Sequence, residues 1–318
     1  MVLRTVTGTV ELDRNDVGIV DGHGHLWIDP PPGVAESARI ELDDEAMIRA
    51  ELTDFHEAGG RVVVDCQPGG CGRDHRMLVE LSAASRVQVT ATTGFHLARY
   101  YPPRHWLWSA SAAEALAYFV EELTRGMRDD DHHAAPSLRE PVRATCIKVG
   151  YDGELFGQAL VLTEAALQAA RQTGATILVH TEQGRNVEAL LAFSERRGIP
   201  PTQLYLCHMD KRPDAALHQE LAETGILLGY DTFARPKYSP ETGAWKLIEA
   251  LAERDLDSRI AIGLDLAHPP LWRHAGGAEG LLMIANRIMP RLQAMGFSQS
   301  AVLGMTGRNV AERLAKGG

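Results

Sequence analysis

Residues 175–208 read ATILVHTEQGRNVEALLAFSERRGIPPTQLYLCH. The opening ATILVH is a short apolar run without polar alternation, as expected of a strand buried on both faces. VEALLAFSERR follows with apolar side chains three and four apart, and Gly198, Pro200 and Pro201 end that helical pattern. QLYLC then repeats the buried-strand pattern. The spacing predicts a strand over 176–180, a helix over 186–197 and a second strand over 203–207. Two such strands joined by a helix form a parallel crossover unit. Each strand ends on a histidine, His180 and His208.

The same unit recurs in both directions. Strands are predicted over 18–21, 61–65, 87–92, 145–149, 176–180, 203–207, 225–229 and 259–263. Helices are predicted over 43–58, 73–84, 111–125, 163–173, 186–197, 214–223, 243–254 and 279–294, with a last one over 299–315. Eight such units predict an α/β fold closed as a (β/α)8 TIM barrel. An open doubly wound sheet has the same local pattern, but no G-x-G-x-x-G follows the first strand to support a dinucleotide site. DCQPGGCGRD, residues 65–74, lacks the G-K-[ST] that would make it a phosphate loop. No linker or solenoid-period repeat interrupts the chain, so residues 1–318 read as one barrel domain with a small leading hairpin over 5–14.

Composition narrows the function classes. A hydrophobic share of 45% with 23% charged residues suits a globular protein with a large core. Acidic residues outnumber basic ones 42 to 32, and no dense Lys/Arg stripe appears, which argues against a nucleic-acid partner. The four cysteines are scattered and form no C-x-x-C pattern, so they read as reduced thiols. The N-terminus has no apolar signal region, and eighteen apolar residues never run together, so no membrane partner is expected and the expected location is cytoplasmic. The expected partners are a small-molecule substrate and, at most, a second copy of the chain as a homodimer.

In such barrels the functional side chains gather at the carboxyl ends of the strands. GIVDGHGH, residues 18–25, places His23 and His25 two apart, on one face of a strand, where they can converge on one ion. His180 and His208 stand at equivalent strand ends, and RIAIGLD brings Asp265 to the same rim. A lone buried histidine is ordinarily a hydrogen-bonded core residue, and a lone Asp a helix cap; the joint pattern is far more specific. ATCIKVG carries Lys148 in an apolar setting, where an ammonium is costly unless paired or chemically altered. A neutral lysine amine can take up carbon dioxide, and the two oxygens of that carbamate can bridge two divalent cations. Four imidazoles and two anionic groups suit zinc, or manganese or cobalt, better than calcium or magnesium.

GHGH, CIKVG around Lys148, VHTEQG, CHMDKRPD and IGLD together resemble the phosphotriesterase-related branch of the amidohydrolase superfamily, specifically its phosphosugar-lactonase-like members. ATTGFH, DCQPGGCGRD and MTGRNVAERL resemble further family segments, so the likeness spans nearly the whole chain; the family's frequent H-E-H is H-G-H here. The resemblance implies that His23, His25 and Asp265 hold one ion, His180 and His208 the other, and a carboxylated Lys148 bridges them. It implies a hydrolase in which a metal-bridging hydroxide attacks the substrate while Asp265 accepts and returns the proton.

The ligand set does not separate the substrates of that branch. A sugar lactone, phosphorylated or not, is the leading expectation; organophosphate triesters and acyl-homoserine lactones are the enzymatic alternatives, and a metal- or sugar-binding sensor barrel is the non-enzymatic one. GYDTFARPKYSPE supplies Arg235, Lys237 and Tyr238 for an anionic end of the substrate, with Arg273 as a second arm. Its KY pair resembles the phosphate-binding segment of phosphosugar lactonases. DLAHPP departs from that pattern, with His268 where a DMAR-like arginine is expected. Trp108, Tyr230 and Trp272 are candidates to line an apolar cleft instead. His56 and His75 read as surface groups on helices, and the third strand-to-helix region, with His96, His105, His132 and His133, as a candidate lid.

Overall fold

The computed structural model describes residues 1–128 and 141–315. A leading antiparallel hairpin, β1 (Val2–Thr5) and β2 (Gly8–Glu11), precedes the barrel. The barrel strands are β3 (Ile19–Gly24), β4 (Gly60–Asp65), β5 (Gln88–Thr90), β6 (Thr92–Phe95), β7 (Cys146–Tyr151), β8 (Ile177–Thr181), β9 (Leu204–Cys207), β10 (Leu227–Tyr230) and β11 (Ile260–Ile262). Neighbours pair in parallel and in chain order, from β3 to β5 and from β6 to β11. β5 falls within the strand predicted over 87–92, and β6, parted from it only at Ala91, carries the same barrel position on to Phe95, beyond the predicted end, so eight barrel positions result.

The ring closes between its last and first strands. Asp265 donates its backbone N–H to the His23 carbonyl at 2.8 Å, and the buried Asp21 carboxylate accepts from Leu264 N–H at 3.0 Å and His23 N–H at 3.2 Å. A Cβ on Gly263 would lie 2.7 Å from the His23 backbone nitrogen, so this closure requires glycine there. Gly94 has φ +101, and a Cβ on it would lie 2.0 Å from the Lys148 carbonyl, so the strand beside Lys148 also requires glycine.

Period two sorts the strand residues. Val62, Val64, Cys66, Cys146, Leu178, Tyr205 and Leu227 fill the barrel interior with Leu3 of the hairpin. Val63, Val89, Ile147, Val179, Leu206 and Leu228 face outward against the helices. Lys148 and His180 continue the inward register of Cys146 and Leu178, and therefore top the packed interior.

Helices α1 (Glu45–Glu57), α2 (His75–Ser85), α3 (Ala112–Thr124), α4 (Gly157–Thr173), α5 (Val187–Arg196), α6 (Ala215–Glu223) and α7 (Ala244–Ala252) wrap the strands. Short polar residues start several of them: Asp44 accepts from Met47 N–H, Asp214 accepts from Leu217 N–H, and Ser111 with Glu114 forms a capping box. α4 begins at Gly157, well before the predicted 163, because Thr163 does not cap the helix but donates back to the Ala159 carbonyl from inside it. The last two predicted helices are each interrupted by a π turn, Ile284–Ile288 before α8 (Met289–Ala294) and Gly304–Arg308 between α9 (Gln299–Leu303) and α10 (Asn309–Ala315). The hairpin starts at Val2 rather than at residue 5. His75, expected at the surface, is buried at the start of α2. His132 and His133 lie outside the described residues. No helix among the described residues is long and apolar enough to cross a membrane.

Candidate metal centre

His23, His25, His180, His208 and Asp265 are buried at or just beyond the carboxyl ends of their strands, and Lys148 is buried within β7 beneath them. Two of them adopt left-handed backbone, His208 at φ 62 and Asp265 at φ 50, a region uncommon for residues other than glycine. In each case the chain has just left its strand, and the turn carries the side chain over the barrel mouth.

The hydrogen bonds determine which ring nitrogens are available. Asp231, immediately after β10, lies with Oδ1 2.7 Å from His208 Nδ1 and Oδ2 3.1 Å from His23 Nδ1. The carboxylate hydrogen-bonds His208 Nδ1 and so favours a proton there, leaving Nε2 as a lone-pair donor, whereas its approach to His23 Nδ1 is a close ion-pair contact without hydrogen-bond alignment. His23 Nε2 is buried without a hydrogen-bond partner among the described residues. It stands 3.9 Å from Asp265 Oδ1, and His25 Nε2 stands 3.6 Å from the same oxygen. His208 Nε2 faces His180 Nδ1 at 2.9 Å. Two imidazole lone pairs opposed at that distance repel unless a proton or a cation lies between them, and burial lowers His208 to about 4 and His180 to about 3, so both rings are neutral. Burial, followed by the charge of nearby Lys148, likewise holds His25 well below its ordinary value.

The donor set fits a divalent metal ion. Donor atoms of His23, His25 and Asp265 lie close enough together to hold one ion, and His180 Nδ1 stands beside them 2.9 Å from His208 Nε2. A grouping of Asp231 with His23 and His208 is also close enough to hold an ion. Asp231 also hydrogen-bonds His208 Nδ1, which suits an orienting carboxylate for that ring. Lys148 is fully buried, and its Nζ donates to the Cys66 carbonyl at 2.7 Å; among the described residues no carboxylate pairs with it.

A cavity of about 210 Å³ opens onto the cluster, lined by His25, His180, His208 and Asp265. Lys237 and Tyr238 reach it as expected. Lys211 of CHMDKRPD, which no local pattern marks, joins them: Lys211 Nζ and Lys237 Nζ each lie 4.9 Å from the Tyr238 ring centre. Arg235 also lines the cavity but is committed to Asp265, with its guanidinium 2.9 Å from Oδ2. Burial would raise Asp265, but His208 and Arg235 outweigh it and hold the carboxylate below its usual range.

Arg273 does not reach the cavity. It pairs with Asp54 of α1 at 2.7 Å, because the loop carrying it folds down onto that helix. The aromatic cleft does not form either. Tyr230 is buried with its hydroxyl 2.7 Å from His218 Nδ1, Trp272 donates to the Leu266 carbonyl, and Trp108 packs edge-on against Phe95 and Tyr101. His96 lines the cavity, its ring tilted against those of Tyr100 and His180 with centroids 4.2 and 4.6 Å away. Glu182 and Arg99, not singled out in the sequence, line it too and pair at 2.6 Å.

A family model described as the phosphotriesterase family matches residues 1–312. The chain is 28% identical over 324 residues to a phospho-furanose lactonase of Mycoplasmopsis synoviae, covering 98% of this chain and 91% of the relative. Its fold is similar to the crystal structure of an amidohydrolase from Mycoplasma synoviae, with a TM-score of 0.89 and 26% identity over 98% of this chain and 91% of that one. A lactonase from Listeria monocytogenes has the same fold, with a TM-score of 0.85 at 23% identity and 98% of both chains covered.

Proposed function

The chain belongs to the phosphotriesterase family, a family of metal-dependent hydrolases, and on that premise we propose that it opens a small phosphorylated sugar lactone. The observation that carries this reading is the pairing of Lys211 and Lys237 around Tyr238 in the cavity that also holds His25, His180, His208 and Asp265. Among the described residues neither ammonium has a carboxylate partner, so the corner presents net positive charge suited to a phosphate. The volume of about 210 Å³ lies below the roughly 300–1,000 Å³ of pockets for drug-sized ligands, which favours a compact substrate over a long acyl chain.

His23, His25 and Asp265 would hold one divalent ion, His180 and His208 the second, with Lys148 as a carbamate between them; zinc suits the nitrogen-rich donor set, as would manganese or cobalt. When bound, the ions supply Lewis acidity that makes a water more acidic and polarises the lactone carbonyl. Asp231 keeps the His23 and His208 rings turned with Nε2 toward that centre. Lys211 and Lys237 anchor the phosphate and so fix the ring's approach. Asp265 is the group at hand to take a proton from water and return it to the ring oxygen, and Arg235 keeps its carboxylate ionised until then. The balance is addition of one water across the acyl C–O bond, yielding a hydroxy acid.

One observation favours a second reading. Ile28, Pro30, Val34, Ala38 and Ile40 form an apolar wall, which suits an uncharged lactone or ester with a short hydrocarbon group. Comparing phosphosugar lactones, acyl-homoserine lactones and aryl phosphotriesters under identical metal loading tests both. The highest kcat/KM is expected on a phosphorylated lactone; a preference for either other class overturns that choice, and turnover of none would leave a binding barrel.

A further inference from the structure

Resting on the sugar-lactone reading, we propose that Glu182, clamped by Arg99, is the residue that reads hydroxyl groups of the lactone ring and of the hydroxy acid it opens to. Glu182 follows β8 directly, two residues beyond His180, and its backbone N–H is tied to the Tyr151 carbonyl at 3.0 Å. Its Oε2 accepts from the Arg99 guanidinium at 2.6 Å. The same oxygen stands 3.7 Å from His180 Nε2, too far for a hydrogen bond. Among the described residues no donor meets Oε1, and the side chain lines the cavity with 29% of its surface exposed, so one carboxylate oxygen is open to a ligand.

The clamp is stiff. The Arg99 guanidinium carbon lies 5.2 Å from the Tyr100 ring centre, Tyr100 packs on His96 at 4.2 Å, and His96 packs on His180 at 4.6 Å. This column fixes the carboxylate beside the metal ligands and separate from the lysine corner, with which it shares no ion pair. A phosphate or carboxylate brought to Glu182 is repelled, so the group that belongs there must donate. Ring hydroxyls are the donors a sugar lactone has. A lactone lacking them leaves the desolvated carboxylate facing hydrocarbon, which is the arrangement that rejects an analogue most strongly.

Calorimetric binding to the metal-loaded protein tests this without turnover. The ligands are a 5-phosphorylated five-carbon aldonate and its 2-deoxy and 3-deoxy counterparts. The wild type should prefer the fully hydroxylated acid to at least one deoxy acid by about tenfold or more; Glu182→Ala should erase that ratio, and Glu182→Gln, which keeps an acceptor oxygen, should retain part of it. Metal content, measured alongside, should be unchanged in both variants. A wild type without preference overturns the proposal. So does a Glu182→Ala protein that keeps the ratio while binding all three acids less well or losing metal, since Glu182 would then act through His180. Failure of the wild type to open any lactone, with the ratio still governed by Glu182, would remove the lactonase reading and leave the hydroxyl site standing.

Discussion

Asp231 Oδ1 lies 2.7 Å from His208 Nδ1, and the carboxylate's other oxygen reaches toward His23, so a single side chain orients one histidine of each proposed metal. Burial would raise the Asp231 pKa, but its interactions with His208 and His23 outweigh it and hold the group well below the usual carboxylate range.

Asp231→Asn should therefore weaken both ions together. Loss of such outer carboxylates costs about 10- to 100-fold in metal affinity or activity. Competition with a chromophoric chelator measures the affinity, and melting of the metal-free variant separates this from unfolding. Wild-type affinity for both ions would sink the assignment of Asp231 as the shared orienting group.

Lys148→Ala should lose most activity and at least one ion per chain by elemental analysis, where the wild type should hold about two. Added short carboxylic acids should restore part of both by occupying the space of the carbamate. Removing the side chain also frees the Cys66 carbonyl that now accepts from Nζ, so some loss of thermal stability is expected in the same variant. A variant with unchanged metal content and turnover would exclude the bridging role.

Much of this was legible in the sequence because strand ends are marked locally. His180, His208 and Asp265 each follow an apolar run, and the rule that barrel sites lie at carboxyl ends turns that pattern into a location. Asp231 closes LGYD in the same way and was open to the same rule, but its weight comes from spanning His23 and His208, residues from distant strands, which no local pattern reveals. The Glu182–Arg99 pair is of that kind too. Arg273 shows the converse: a basic residue in the correct loop, drawn off by Asp54 on α1. The early start of α4 is also local: Thr163 donates to the Ala159 carbonyl one turn back, so the helix is already under way where the apolar periodicity becomes clear.

Away from the metal residues, His218 makes a pH-dependent contribution that can be isolated. It is fully buried, with Nδ1 2.7 Å from the Tyr230 hydroxyl and Nε2 3.0 Å from the Arg212 carbonyl. Burial, only partly offset by the Arg212 carbonyl, lowers it to about 4, against roughly 6.5 in the unfolded chain. Between those values the unfolded state binds a proton that the folded state refuses, so stability from this site is present above pH 6.5 and lost as the pH falls toward 4. The slope is about 1.4 kcal/mol per pH unit. Denaturant titrations of the wild type and His218→Gln should show their stability difference shrinking with acid over that window and flat above it; a constant difference throughout would mean that His218 titrates normally.

The last expectation concerns the cationic corner, where the choice of substrate is decided. Lys211 and Lys237 flank one ring, Tyr238, and arrive from different loops, so each can contact a phosphate independently. A hydrogen bond to a charged group contributes roughly 1.5–3 kcal/mol, so Lys211→Ala or Lys237→Ala should each lower kcat/KM for a phosphorylated lactone by about 10- to 150-fold. The same lactone without its phosphate should change by less than about threefold. Misfolding or metal loss would depress both substrates equally, whereas loss of phosphate recognition acts only where a phosphate exists. Tyr238→Phe should keep the ring and its hold on both ammoniums, and lose only what the hydroxyl contributes. If the lysine variants lower both substrates together, or neither, the phosphosugar reading gives way to the uncharged lactone or ester favoured by the Ile28 and Ile40 wall.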